Sequence, residues 1–197
     1  MQMDGSLSGE YVILEPLTLD HLAALSIAVA DGELWNLWYT SVPRPEEMKD
    51  YILTAMAEEK RGESLAFAVR HRASGTIVGC TRLCHWDQPN RHIEIGYTWY
   101  SKSVQRSAVN TECKLLLLNY AFSTLDVIAV EFRTHFNNEA SRQAIMRLGA
   151  KQDGILRNHR ILKDGTVRDT VVYSIIDSEW PEVKANLKRM LSQYADT

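Results

Sequence analysis

Apolar and polar positions follow two different periods along this chain. From Thr18 to Ala30, Leu22, Leu25 and Val29 recur at helical spacing behind a threonine able to cap, and Asp31-Gly32 ends the run. Pro45 at a first helical turn opens a second run from Glu46 to Arg61, with Met48, Tyr51, Ile52 and Ala55 as its apolar stripe and Gly62 as its close. An aromatic connection, Glu33-Leu34-Trp35-Asn36-Leu37-Trp38-Tyr39, joins the two. Ahead of them, Tyr11 to Pro16 reads as a short strand stopped by proline, and residues 1–9 read as a loose tail.

In the middle of the chain the period falls to two. Ser64 to His71, Thr76 to His85 and Arg91 to Tyr100 are predicted strands. The turn Arg72-Ala73-Ser74-Gly75 and the loop Trp86 to Asn90 connect them into an antiparallel meander. A polar stretch from Ser101 to Asn110 leads into Thr111 to Leu125, apolar nearly all round, which predicts a helix buried against a sheet. Val127 to Thr134 is a further strand, and Asn137-Asn138-Glu139 starts a helix to Leu148 with Gly149 as its left-handed stop. Two strands flank Asp164-Gly165, and a last helix begins near Asp177-Ser178-Glu179-Trp180-Pro181 and fades at Ala195. The predicted fold is α+β in three layers: a central mixed, mostly antiparallel sheet of about seven strands, flanked by helices. Residues 10–197 form one domain, since no linker, repeat or low-complexity segment divides them.

Composition narrows the function classes. Lys and Arg number 22 against 25 Asp and Glu, a net charge of −3, which offers no general attraction to nucleic acid or anionic lipid. With 45% hydrophobic and 24% charged residues the chain is an ordinary globular one. No apolar run nears the ~20 residues that span a bilayer. Met1 to Ser6 lacks the basic and apolar regions of a secretory signal, and three cysteines, an odd and widely placed set, suggest reduced thiols. A cytoplasmic location is the expectation. No metal is expected either: Cys80 and Cys84 share a strand face, His85 points to the other, and His71 and His92 complete no ligand spacing. Cys113 sits in a helical first turn where a thiolate is favoured, yet in so apolar a helix it reads as a small core residue.

Two stretches carry candidate chemistry. Strand, polar turn and helix follow one another in Ile93 to Trp99, Gln105 to Asn110 and Thr111 to Lys114. A helix start presents unpaired N–H groups and a positive dipole end to an anion; Ser107 and Ala108 allow close approach, and Arg106 adds charge. Taken alone, the same residues describe an ordinary helix start with Asn110 as cap and Glu112 answering the dipole. The second stretch is Asn138-Glu139-Ala140-Ser141, where Asn138 and Ser141 share a face of the first helical turn; either could be a simple cap. The basic cluster Arg157, His159, Arg160, Lys163 and Arg168 reads as a solvated face, with an acidic acceptor or a second subunit as the alternative.

In this order the two stretches resemble the GNAT superfamily of acetyl-CoA-dependent N-acyltransferases. The family signature Gln/Arg-x-x-Gly-x-Gly/Ala survives as Gln105-x-x-Ala108-x-Asn110, and its Asn followed eleven residues on by Gly survives as Asn138 and Gly149. Trp99, Val109-Asn110-Thr111-Glu112, Asn138-x-x-Ser141-Arg142, Arg147-Leu148-Gly149-Ala150 and Arg168-Asp169-Thr170 resemble the branch containing the ribosomal-protein N-terminal acetyltransferases. The likeness spans roughly Tyr11 to Pro181.

The resemblance implies acetyl-CoA as cofactor, a splayed strand pair, and transfer of an acetyl or other acyl group directly to a primary amine of a peptide N-terminus or small molecule. It implies that the backbone of Tyr97, Thr98 and Trp99 pairs with the pantetheine arm and that N–H groups from Gln105 to Asn110 hold the pyrophosphate. It places Thr111 and Arg147 at the cofactor site as well, Asn138 on the pantetheine amide, and Ser141 at the sulfur. Both signature glycines are replaced, by Ala108 and Asn110. Where many members carry a tyrosine that protonates the leaving thiolate, this chain has Ile145, so Ser141, one turn earlier on the same helix, is the substitute acid. An amine that starts protonated near pH 7 needs a base; Glu94 beside the acyl site is the choice, with Glu131 and Glu33 as competitors. Trp35, Trp38 and Tyr39 wall the acceptor groove by this likeness, with Trp86 opposite, although aromatic packing of a helix corner accounts for the first three as well. The rival class is a CoA- or acyl-CoA-binding sensor without turnover. The C-terminal hairpin and helix offer a surface for homo-oligomerisation.

Overall fold

The computed structural model describes residues 5–162 and 164–195; Met1 to Asp4 of the expected tail and Lys163 of the basic cluster lie outside the described residues. The period-two segments form one eight-stranded sheet. Its strands are β1 (Leu7–Ser8), β2 (Val12–Pro16), β3 (Leu65–His71), β4 (Ile77–Asp87), β5 (His92–Tyr100), β6 (Ala129–His135), β7 (Lys151–Ile161) and β8 (Val167–Ile176). The order is β1-β2-β3-β4-β5-β6-β8-β7, antiparallel everywhere except between β5 and β6. The helical-period segments become α1 (Leu22–Ala30), α2 (Met48–Lys60), α3 (Ala108–Ser123), α4 (Glu139–Arg147) and α5 (Trp180–Ala195).

Alternation along the strands splits the core in two. On one face Leu83, Ile93, Ile95, Phe132 and Tyr173 pack under Leu117 and Leu118 of α3, Ile145 of α4 and Leu187 of α5. On the other, Ala66, Ala68, Cys80 and Trp99 pack under Leu25 and Val29 of α1 and Met48, Ile52 and Ala55 of α2. Gly149 ends α4 at φ +104, the left-handed stop expected of it.

Four expectations change. Part of the tail is structured: Leu7 and Ser8 pair with Leu14 and Ile13, adding the eighth strand. The cause is Glu112, whose carboxylate accepts the backbone N–H groups of Glu10, Tyr11 and Val12, each at 2.7 Å. Glu112 therefore anchors a strand rather than answering the dipole of its own helix. The cap of α3 is Ser107, whose hydroxyl accepts from Val109 N at 3.3 Å, so Asn110 lies inside the first turn. Trp86 belongs to β4, not to a loop, and packs against the α3-side core. Finally, His85 does not point away from Cys84. A register shift between Cys84 and Asp87, with His85 at φ +51, swings its ring onto the same side, where Cys84, His85 and Glu94 converge within 4.8 Å.

The feature that matters for chemistry lies at the middle of the sheet. Parallel pairing of β5 with β6 covers only His92–Ala129, Ile93–Val130 and Glu94–Glu131, after which the strands part. Just beyond, β5 bulges against β4: Gly96 faces Arg82 and Trp99 faces Cys80, three steps against two, with Tyr97 at φ +51. The extra residue inverts the alternation. Ile93 and Ile95 face α3 before it, and after it Thr98 and Tyr100 do, while Trp99 turns to the α1 and α2 side.

Candidate active site

The parted strands open a groove of about 780 Å³, within the range of small-molecule sites. Its floor is the bulge, Ile95 to Tyr100; one wall is Phe132 to His135 of β6; the turn Gln105-Arg106-Ser107 and the start of α3, with Asn110 and Lys114, close one end, and α4 supplies Ser141, Ile145 and Arg147. Two distant stretches of sequence are thus brought together because strand and helix N-terminus converge on the same gap.

The residues divide by what they touch. Tyr97, Thr98 and Trp99 lie along the gap, as do Gln105, Arg106 and Ser107. Gln105 donates from Nε2 to Tyr100 O at 3.1 Å, and Ser107 donates to Val104 O at 2.6 Å, which ties the turn down. Ala108, Val109 and Thr111 are buried and outside the lining, so at those positions only backbone can serve a ligand. Arg147, in the lining, donates to Thr111 Oγ1 at 3.3 Å. Asn138 caps α4 by accepting Ser141 N at 3.1 Å through Oδ1, leaving its Nδ2 donors toward the groove; the Ser141 hydroxyl has no partner among the described residues. Ile145 lines the groove and brings no proton to it.

The acceptor expectations fare unevenly. Only Tyr39 lines the groove. Trp38, about half exposed, meets groove-lining His135 edge-on with centroids 4.8 Å apart. Trp35 packs against the α1–α2 core, and Trp86 lies on the opposite face, so neither forms an acceptor wall. A short helical turn over Leu34–Asn36 ends at Leu37, which is extended, so Trp38 leaves the face that carries Trp35.

None of the three carboxylates weighed as base is in the lining. Glu33, at φ +46, holds Asn36 at 3.3 Å. Glu131 pairs with Arg133 at 2.8 Å. Glu94 occupies a smaller adjoining pocket of about 250 Å³, accepting from His85 Nδ1 at 2.8 Å with Arg133 at 3.7 Å. That hydrogen bond raises the His85 pKa. Glu94 is nevertheless next to the groove: a Cβ on Gly96, itself part of the floor, would stand 3.1 Å from Glu94 Oε1. Cys113 is fully buried and its thiol is pushed up to about 12, in keeping with a core residue.

The sequence passed over Lys114, Arg133 and His135. Lys114 is buried and donates from Nζ to Thr98 Oγ1 at 2.7 Å; desolvation lowers its pKa to about 8. A lone lysine in the first turns of an apolar helix was the available signal. Arg133 and His135 follow from period two on β6, which sends Glu131, Arg133 and His135 to the face opposite Phe132. In all, the lining holds five cationic side chains, Arg106, Lys114, Arg133, Arg147 and Arg168, and no carboxylate, in a chain of net charge −3.

That donor set fits a polyanionic nucleotide with a narrow arm: a helix N-terminus and two arginines at one end, and unpaired strand edges along the gap. Comparison with known proteins agrees. Residues 12–151 match the model of the acetyltransferase (GNAT) domain. The "Putative ribosomal N-acetyltransferase YdaF" of Bacillus subtilis (strain 168) is 28% identical over 85% of this chain and 91% of its own length. A GCN5-related N-acetyltransferase structure from Brucella melitensis has 32% identity and a TM-score of 0.85, covering 96% of this chain and 86% of that one. RimJ of Mycobacterium smegmatis, solved in complex with CoA-disulfide, shares the fold at a TM-score of 0.76 and 21% identity, over 94% and 91% of the two chains.

Proposed function

The chain belongs to the GNAT acetyltransferase family, and we infer from its groove how it carries out acetyl transfer from acetyl-CoA to an amine, in a cytoplasmic setting. The observation that carries the reading is the continuous path from the β5–β6 gap to the start of α3, rich in donors and free of carboxylates. Among the described residues, no helix is long and apolar enough to cross a membrane.

Acetyl-CoA supplies a thioester carbonyl activated toward amines. The chain's own groups bind and polarise it. Backbone N–H groups of the first turn of α3, with Arg106 and Arg147, hold phosphate oxygens. The strand edge at Tyr97 to Trp99 pairs with the pantetheine amides, assisted by Asn138 Nδ2. Unpaired N–H groups at the bulge face the carbonyl oxygen, where negative charge develops. Ser141 Oγ–H, without a partner among the described residues, donates its proton toward the leaving sulfur. Glu94, reached past Gly96, takes the amine proton through an intervening water, while His85 and Arg133 keep its carboxylate oriented. Ile93, Ile95 and Trp99 remove bulk water from beneath the gap.

Thiol release from acetyl-CoA in the presence of amines tests the scheme directly. Ser141→Ala lowers kcat by about 100-fold while the acetyl-CoA dissociation constant stays within about twofold. Equal loss of both, or loss of neither, removes the role given to Ser141. Binding of acetyl-CoA without thiol release from any amine leaves a sensor, not an enzyme.

A further inference from the structure

Alternation places Arg133 and His135 of β6 and Arg168 and Thr170 of β8 on the sheet face that also carries Glu94. Helices α1 and α2 pack over β3 and β4 on that side, so this face meets the gap from the side opposite α3. Four of the five lining cations have their surroundings accounted for. Arg106 and Arg147 stand at the α3 and α4 end, and Lys114 is spent on Thr98. Arg133 is paired with Glu131.

Arg168 is different. It is half-buried and lines the groove, and its Nε donates to Thr170 Oγ1 at 2.9 Å. No carboxylate lies within 4 Å of it among the described residues. Its acidic neighbour in sequence, Asp169, is engaged by Asn158 N at 2.7 Å. Burial and then the charge of Arg160 lower the Arg168 pKa, with Glu94 opposing them in part, and Arg160 has no carboxylate within 4 Å among the described residues. The second observation is His135, 4% exposed. Its Nδ1 accepts Asn137 N at 3.0 Å, which places the ring proton on Nε2, and Nε2 has no hydrogen-bond partner among the described residues. Burial, then the charge of Arg168, lowers the His135 pKa, with Asp169 opposing them in part. A guanidinium with no carboxylate within 4 Å, beside a buried N–H without an acceptor among the described residues, is a pair of donors awaiting two oxygens.

We propose that the acceptor carries a carboxylate close to its amine and that Arg168, with His135 beside it, selects acceptors by that carboxylate. The proposal rests on the acetyltransferase reading above. A lysine-rich or polyamine acceptor would place like charge against Arg133 and Arg168 and meet no carboxylate in the lining. The carboxylate has two sources, the α-carboxylate of a free amino acid and an acidic side chain next to a peptide's N-terminus.

The test uses the full chain with serine against serine amide, and C-terminally amidated Ser-Glu-Ala, Ser-Gln-Ala and Ser-Lys-Ala. Thiol release is followed at saturating acetyl-CoA, and binding to the CoA-loaded protein by calorimetry. At least one acid exceeds its amide in kcat/KM by about tenfold, mainly through KM, with the lysine peptide poorest. Which pair shows the ratio identifies the source. Arg168→Gln narrows that ratio to within about twofold, and Arg168→Lys keeps an intermediate one. Equal use of acid and amide by the unaltered protein, a preference for the lysine peptide, or an Arg168→Gln loss common to acid and amide overturns the proposal. Carboxylate-dependent binding with no thiol release from any acceptor upholds the anion site and rejects the transferase reading. Release without carboxylate preference does the reverse, and neither binding nor release rejects both.

Discussion

Lys114 is an ammonium group buried without a carboxylate partner, and its cost can be read from pH. Its pKa falls from 10.5 to about 8 in the fold, so between those values the unfolded chain binds more protons and stability rises with pH. Below pH 8 the full penalty is present, about 3 kcal/mol for the shift. Lys114→Met therefore raises the melting temperature at pH 7, and its advantage fades as pH approaches 10; a constant difference across pH would show that the charge is not the cause. The same variant weakens acetyl-CoA binding, because an unpaired cation in a low-dielectric groove attracts anions. At this scale sequence singled out Asn138 and Ser141 by their shared helical face, and both line the groove. It was silent where geometry decides. Around the groove and its adjoining pocket, left-handed conformations fall on His85, Tyr97 and Arg106, none of them glycine or asparagine, so the side chains gave no notice of the turns that aim them.

Among the elements, β2 is held by a helix rather than only by its neighbours in the sheet. Removing the Glu112 carboxylate strands three backbone donors at the head of β2, one of them fully buried. Glu112→Ala should cost roughly 2–4 kcal/mol in denaturant unfolding. Gly9 is the companion constraint: a Cβ there would lie 2.3 Å from Glu112 Cδ. Gly9→Ala alone is destabilising by about 1–3 kcal/mol, and in the Glu112→Ala background that penalty largely disappears. Additive losses would rule out the contact. The periods of two and 3.6 located the helices and the strands up to β6 to within a few residues, and Asp164-Gly165 marked the turn between β7 and β8 without their bounds. The pairing of a two-residue strand could not be read, because it depends on a carboxylate a hundred positions away.

Across the whole molecule, charge is segregated. A chain of net charge −3 concentrates five cations around one groove, so the local field is opposite in sign to the mean. Acetyl-CoA binding should weaken several-fold as ionic strength rises from about 0.05 to 0.5 M, where the screening length falls from over 10 Å to a few ångströms. Insensitivity to salt would mean that the arginines do not face phosphate. At about 100 times its dissociation constant, acetyl-CoA should add about 2.7 kcal/mol to stability, whereas NAD and ATP should not. The three-layer plan was legible because each buried face repeats along its element; the contents of the acceptor end were not, because they come from β6, β8 and a loop that meet only in space.

The parting of β5 from β6 has a kinetic consequence. Two strand edges face each other in the interior of the sheet, paired over three residues and then open. Backbone amides on those inner edges, within residues 95–99 and 132–135, exchange their protons with solvent far faster than those of the β3–β4 ladder, although both lie in the same sheet. A ligand arm laid along the gap completes the ladder as a borrowed strand would, and exchange there slows. Hydrogen-exchange mass spectrometry of free and acetyl-CoA-bound protein then maps how far along the gap the arm reaches.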